Sequence, residues 1–296
     1  MKLRVGTRGS DLALVQTKGI ISSLEKFGVS CEIKIIKTTG DLNRKDSIEK
    51  LGGKEIFTRE IEKELLSGEI DFAVHSLKDL PSILPKGLKL SYSPRRESAF
   101  DAFVSNDSRT IAELANEKVR IGTGSKRRAF EVLKILPHAE IVPIRGNVET
   151  RIRKMKEENL TGLILAEAGL NRLGLSNHYE VLGKSFTPHP CQGILGLEIR
   201  EERKDLDDLF FKLSDEKTRI QKFVERSFLK ELNGSCKDPM GAFLDIEGED
   251  FVLYASLAKN KAYVKGVYRS KNFTELAKMA SEDLKERLKE LGEIYE

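Results

Sequence analysis

Residues 1–16, MKLRVGTRGSDLALVQ, set the pattern for much of the chain. Leu3 to Gly6 is a short β-type run. Small residues and one arginine follow in TRGS (7–10), and Asp11 then opens a helix-type stretch that reaches Phe27. The succession recurs. Candidate strands at Glu32–Lys37, Asp71–His75, Val119–Gly122, Glu140–Ile144 and Gly162–Ala166 alternate with helical segments such as Thr58–Leu66 and Val148–Glu158. Strand–helix alternation of this kind argues for α/β domains with largely parallel sheets. From Lys217 the pattern changes. A helix over Lys217–Leu232 carries Ile220, Val224, Phe228 and Leu232 on one face, the strand-like runs DFVLYASLA and AYVKGVYRS follow, and an amphipathic helix runs from Thr274 to about Leu291. That predicts a smaller α+β domain. The stretches SYSPRRES (91–98) and FTPHPCQG (186–193) read as crossings between domains, because Pro94, Pro188 and Pro190 stiffen them and exclude helix.

Composition narrows the function classes. The 296 residues are 39% hydrophobic and 33% charged. No run approaches the ~18 apolar residues of a membrane span, and the start has no apolar signal core, so no membrane association and no secretion are expected. Cys31, Cys191 and Cys236 lack the paired spacing of a zinc site or a disulfide framework, which fits a reduced, cytoplasmic setting and no metal. A net charge of +4 does not argue for nucleic acid, and no groove-reading helix is evident. The distribution of charge says more. Arg120 to Lys156 holds ten Lys/Arg against three Glu, a local +7 suited to a polyanion.

Ligands of open parallel sheets bind beyond the carboxyl ends of the strands. Those junctions read TRGS (7–10), TTGD (38–41), HSLKD (75–79), TGSKRR (123–128), RGNVETR (145–151) and EAGLNR (167–172). Glycine allows close backbone approach, a helix N-terminus offers N–H groups to an anion, and arginine adds a fork shaped for carboxylates. Capping alone explains the small residues at any one junction. Six junctions that include Arg8, Arg127, Arg128, Arg145, Arg151 and Arg172 favour an anion-binding site. GTGSKRR lacks the spacing of a nucleotide phosphate loop. His75 has no partner spaced for a triad or metal and reads as structural. Asp79, among many cations, is expected to stay ionised and to steady a cationic intermediate. Cys236 sits among turn residues in GSCKDPMG (234–241), unlike a packing cysteine.

GTRGSDLALVQ, GGKEIFTREIE, AVHSLKDLP, FDAFVS, IGTGSKRR, IRGNVETR, LAEAGLNRLGL, CQGILGLE and LNGSCKDPMG together resemble the porphobilinogen deaminase (hydroxymethylbilane synthase) family, in the family's order, from residue 4 to about 241. The resemblance implies a transferase of tetrapyrrole (haem) biosynthesis. It would condense four porphobilinogen molecules head to tail, with loss of ammonia, into the linear tetrapyrrole hydroxymethylbilane. Priming falls to a dipyrromethane cofactor held by a thioether to Cys236, as a soft thiolate suits. The implied fold has two periplasmic-binding-protein-like α/β domains, the first discontinuous (1–93 with 189–212) and the second at 98–187. A small α+β domain at 213–296 would carry the cofactor cysteine, and the molecule would be a monomer.

Carried over residue by residue, the resemblance gives Asp79 the stabilisation of positive charge on pyrrole nitrogens. Cofactor binding falls to Lys78, Ser76, Thr123, Ser125, Arg127, Arg128, Arg145 and Gly146, with Asp79 and Cys236. Substrate and growing chain fall to Arg8, Ser10, Gln16, Arg145, Arg151, Arg172 and Gln192, with Lys54 and Phe57 on a flap. Of these, Lys78, Arg8, Gln16, Arg145, Arg151 and Arg172 join Asp79 as the expected catalytic set. The chain departs from the family pattern at Thr39, Arg59, Gly124, Glu167, Cys191 and Asp238; Gly124 stands for a common serine and Cys191 for a common glycine. A non-catalytic anion- or solute-binding module of the same architecture is the competing reading.

Overall fold

The computed structural model describes residues 1–39, 58–175, 179–232 and 239–293. Lys54, Phe57, Cys236 and Asp238 lie outside them. The described chain forms two compact units, Met1–Glu97 with Gly193–Lys222 and Ser98–Gln192 with Phe223–Glu296.

In the first unit, β1 (Lys2–Thr7), α1 (Asp11–Glu25), β2 (Ser30–Ile35), α2 (Arg59–Leu66), β3 (Phe72–Ser76) and β4 (Leu88–Leu90) are joined, from the later stretch, by β10 (Leu195–Arg200) and α6 (Lys204–Phe211). The sheet order is β2-β1-β3-β10-β4. β1 runs parallel to β2 and β3, while β10 is antiparallel to β3 and β4. Leu3 and Val5 of β1 and Phe72 and Val74 of β3 meet Ile20 and Leu24 of α1 and Phe210 of α6 on one face. Ala73 and Leu88 meet Ile61 and Leu65 of α2 on the other. Two buried faces explain why β3 opens as the continuous apolar run Phe72–Val74, whereas Lys2 and Arg4 of β1 remain exposed. α1 stops two residues short of the expected Phe27, because the chain turns at Gly28 with φ +73°.

The second unit contains β5 (Asp101–Ser105), β6 (Arg120–Gly122), α3 (Lys126–Ile135), β7 (Glu140–Val142), α4 (Val148–Glu157), β8 (Gly162–Ala166), α5 (Glu167–Arg172) and β9 (Tyr179–Val181). Its sheet order is β7-β6-β8-β5-β9, with β6 parallel to β7 and β8, and β5 antiparallel to β8 and β9. The pattern repeats that of the first unit: three parallel strands, then an antiparallel one. In each sheet that antiparallel strand, β5 or β10, comes directly after a crossing segment. Both were absent from the strands expected from sequence. Each has a carboxylate in a fully buried stretch, Asp101 or Glu198, which spoils the apolar run.

α7 (Glu216–Glu231) belongs to the first unit through Lys222 and to the second from Phe223. β11 (Met240–Glu247), β12 (Asp250–Lys259) and β13 (Ala262–Ser270) then form an antiparallel sheet, on which α8 (Phe273–Glu290) packs. Leu276, Ala280, Leu284 and Leu288 recur every four residues along α8 and are all fully buried. The observed architecture is thus mixed α/β: two five-stranded sheets with flanking helices and a small antiparallel sheet.

Candidate active site

In the first unit, β3 ends at Ser76 and a single 3₁₀ turn, Leu77–Asp79, follows. Leu77 and Leu80 are buried on either side of the partly exposed Lys78 and Asp79. The Leu77 N–H donates to the Ile194 carbonyl at 3.0 Å, and the Leu80 N–H closes the turn onto Leu77 at 3.2 Å. Pro81 keeps Leu80 extended (ψ 144°). Two leucine anchors and a proline therefore fix the backbone that presents Lys78 and Asp79. Gln16, buried on α1, donates from Nε2 to Ser76 Oγ at 2.9 Å, which ties the turn to the first helix. Ser10 caps α1, its Oγ accepting the Ala13 N–H, and Arg8 lies partly exposed two residues before it. His75 pairs with the buried Glu198 (Nε2 to Oε2, 3.0 Å), consistent with a structural role.

In the second unit, β6 delivers Thr123, whose Oγ1 accepts the Ser125 N–H at 3.2 Å. Ser125 caps α3 by accepting the Arg128 N–H. Gly124 lies so close to its neighbour that a Cβ there would stand 2.9 Å from the Ile144 carbonyl oxygen. The serine common at this position in the family would need that carbonyl to shift. Arg127 and Arg128, in the first turn of α3, are 4% and 7% exposed. Arg127 donates to Asp101 Oδ2 and to the Thr187 carbonyl, each at 2.7 Å. Arg128 donates to Asp101 Oδ1 from Nε (3.0 Å) and Nη2 (2.7 Å) and to the Ile164 carbonyl. Gln192, fully buried, donates to the Ala99 carbonyl and to Asp101 Oδ1.

Burial alone would raise the Asp101 carboxyl, but the charges of Arg127 and Arg128, with hydrogen bonds from Arg127 and Gln192, hold it at about 2. Burial pushes the Arg128 guanidinium below its usual value, and the Asp101 carboxylate opposes that. The balance of charge matters most. Among the described residues, two buried guanidiniums share the Asp101 carboxylate, and Arg127 Nε is buried without a hydrogen-bond partner. A purely structural cluster would be neutral, since an uncompensated buried charge is costly. The excess positive charge and the orphaned donor fit a ligand carboxylate, and so fit a cofactor bearing acidic side chains.

The remaining basic positions are more open. Arg145 and Gly146 (φ +122°) are exposed, and Arg151 on α4 donates from Nε to the Gly146 carbonyl at 2.7 Å. Arg172 ends α5 and is partly exposed. Asp101 is the site residue that sequence reasoning missed; its signal was a lone acid in the apolar run FDAFVS. Cys191 is buried with φ +61°, in the left-handed region that favours glycine, and its N–H donates to Glu225 Oε2 at 2.6 Å.

Among solved structures, an ancestral cationic amino acid solute-binding protein aligns with TM-score 0.46 at 16% identity, covering 72% of this chain and 87% of that one. The family model described as porphobilinogen deaminase, dipyromethane cofactor binding domain, matches residues 3–208. Porphobilinogen deaminase of Clostridioides difficile (strain 630) is 47% identical, over 83% of each chain. Its counterpart in Clostridium novyi (strain NT) is 42% identical over 88% of this chain and 89% of the relative. That of Clostridium botulinum (strain Loch Maree / Type A3) is 39% identical over 99% and 97%. This chain belongs to the porphobilinogen deaminase family.

Proposed function

We propose that the chain builds hydroxymethylbilane from four porphobilinogen molecules, each losing ammonia, and that its dipyrromethane cofactor is joined by a thioether to Cys236. When bound, that cofactor supplies the pyrrole to which the first substrate ring is attached. The observation that carries the reading is the buried Arg127–Arg128–Asp101 cluster, in which, among the described residues, two guanidiniums share one carboxylate and Arg127 Nε has no hydrogen-bond partner.

The chain's own residues divide the work. Arg127, Arg128, Ser125 and Thr123, gathered at the start of α3, hold cofactor carboxylates together with Arg145, Gly146 and Lys78. Asp101 and Gln192 keep the two buried arginines in fixed orientations, so little reorganisation accompanies binding. Asp79 stabilises the positive charge that develops on substrate pyrrole as ammonia leaves. Ser76 and Gln16 brace the turn that presents Asp79 and Lys78. Arg8, Ser10, Arg151 and Arg172 take the acetate and propionate groups of the incoming and growing units. Three domains (1–93 with 189–212, 98–187 and 213–296) and a monomeric, cytoplasmic enzyme complete the reading. Among the described residues no helix is long and apolar enough to cross a membrane.

The test is turnover of porphobilinogen, with ammonia and tetrapyrrole measured together. Four ammonia per tetrapyrrole supports the assignment. Binding of porphobilinogen without ammonia release would favour the non-catalytic module.

A further inference from the structure

A second buried acid, Glu131 of α3, has no part in the chemistry above. Glu131 is one turn beyond Arg127, so the two side chains share a face of the helix. It is 2% exposed and collects donors from two distant segments. Oε1 accepts the Thr187 N–H at 2.9 Å and the Tyr263 hydroxyl at 2.6 Å, and Oε2 accepts Lys265 Nζ at 3.1 Å. Lys265 also donates to the Ser185 carbonyl. The Tyr263 ring lies nearly parallel to that of Phe130 (10°, centroids 6.0 Å apart), and burial beside Glu131 pushes its hydroxyl well above the usual value.

Thr187 is gripped at both ends. Its N–H is held by Glu131 and its carbonyl by Arg127, from successive turns of one helix. The opposite side is closed by β11. A Cβ at Gly241 would stand 2.8 Å from the Thr187 carbonyl oxygen, and the Ala242 N–H donates to the Pro188 carbonyl at 2.9 Å. With its N–H held as well, the Thr187 carbonyl is directed at Arg127 Nη1.

We infer that Glu131 is a positioning residue for Arg127. It acts through Thr187 and is itself held by Tyr263 and Lys265 of β13. The inference rests on the proposed role of Arg127 in binding a cofactor carboxylate. Releasing the Thr187 N–H lets the carbonyl turn, so Arg127 loses the acceptor that sets the direction of its remaining donors. A buried charged acceptor contacted by three donors is also costly to delete, which is why the test separates folding from loading.

The readouts are the fraction of purified chain carrying pyrrole mass, taken from intact mass spectra, and the melting temperature. Glu131→Gln keeps an oxygen for the Thr187 N–H but sets an amide against Lys265, and Glu131→Gln/Lys265→Met removes both charges. The double variant is expected to load within about threefold of wild type, whereas Glu131→Leu loads at least about tenfold less. In an Arg127→Leu background, Glu131→Leu should lower loading no further, because the two act through one contact. Should Glu131→Leu not accumulate as folded protein, Tyr263→Phe/Lys265→Met strips the β13 donors and is read the same way. Variants that melt lower yet load like wild type would overturn the inference and leave Glu131 a strut. Wild-type protein with no pyrrole mass and no turnover would instead overturn the proposed function.

Discussion

Removing the Asp101 charge should cost far more stability than removing either arginine it faces. Asp101 is fully buried, and Asp101→Asn leaves two interior guanidiniums without the carboxylate that they share. Breaking a buried pair from one side costs roughly 3–5 kcal/mol. The acid limb gives a second route to the number. The carboxyl falls from 3.8 to about 2 on folding, which corresponds to about 2 kcal/mol. Because the folded value is depressed, that contribution is complete above about pH 4 and is lost as pH falls through about 2. Asp101→Asn should therefore flatten stability against pH between about 4 and 2. Arg127→Met leaves Arg128 and Asp101 as a balanced pair and should cost only about 1–2 kcal/mol, mainly the hydrogen bond to the Thr187 carbonyl. Urea titrations at pH 7, 4 and about 2 provide the assay, and in thermal melts at pH 7 Asp101→Asn should unfold roughly 10 °C below wild type. Function should run the other way, with Arg127→Met folded but poorly loaded with cofactor. Arg127→Met proving more destabilising than Asp101→Asn would refute the claim of surplus buried positive charge.

Asp79→Asn should lower single-turnover ammonia release by up to about a thousandfold, since a carboxylate ~4 Å from a developing charge is worth about 4 kcal/mol at an effective dielectric near 20. A cofactor-loaded variant within about tenfold of wild type would remove Asp79 from that role. Cys191→Gly should be near neutral, within about 1 kcal/mol, as relief at φ +61° offsets the lost side chain and the added chain entropy. Cys191→Val should cost at least about 2 kcal/mol in the same urea titration, because a β-branched residue fits that backbone worst. Arg151→Leu and Arg172→Leu should stall elongation at different lengths, visible as bound chains one to three units long by mass; loss of stability alone would make these residues structural.

What the sequence revealed followed from periodicity and punctuation. TRGS before α1, TGSK before α3 and GN before α4 each place the cap that the structure shows, at Ser10, Ser125 and Asn147. The hidden part was polar. β5 and β10 escaped because Asp101 opens the one strand and Glu198 interrupts the other, and a lone acid in such a run reads as exposed. Arg127 and Arg128 read as part of a basic, anion-binding stretch, yet both lie in the interior, because one acid from β5, remote in sequence, receives them. Their burial depends on that long-range pairing and has no local trace. The strain at Cys191 was visible only as a departure from glycine in a resembling motif. Its cause, a left-handed backbone in the second crossing, needed the fold.

The claim at the centre of this account is that the chain extends a covalently held pyrrole primer. Intact-mass spectrometry of native protein, before and after limiting porphobilinogen, tests it most directly. The account predicts the polypeptide plus two linked pyrrole units, further species heavier by single pyrrole increments, and loss of all of them in Cys236→Ser but not in Cys31→Ser. Fully active protein at the bare polypeptide mass, or mass retained in Cys236→Ser, would contradict it.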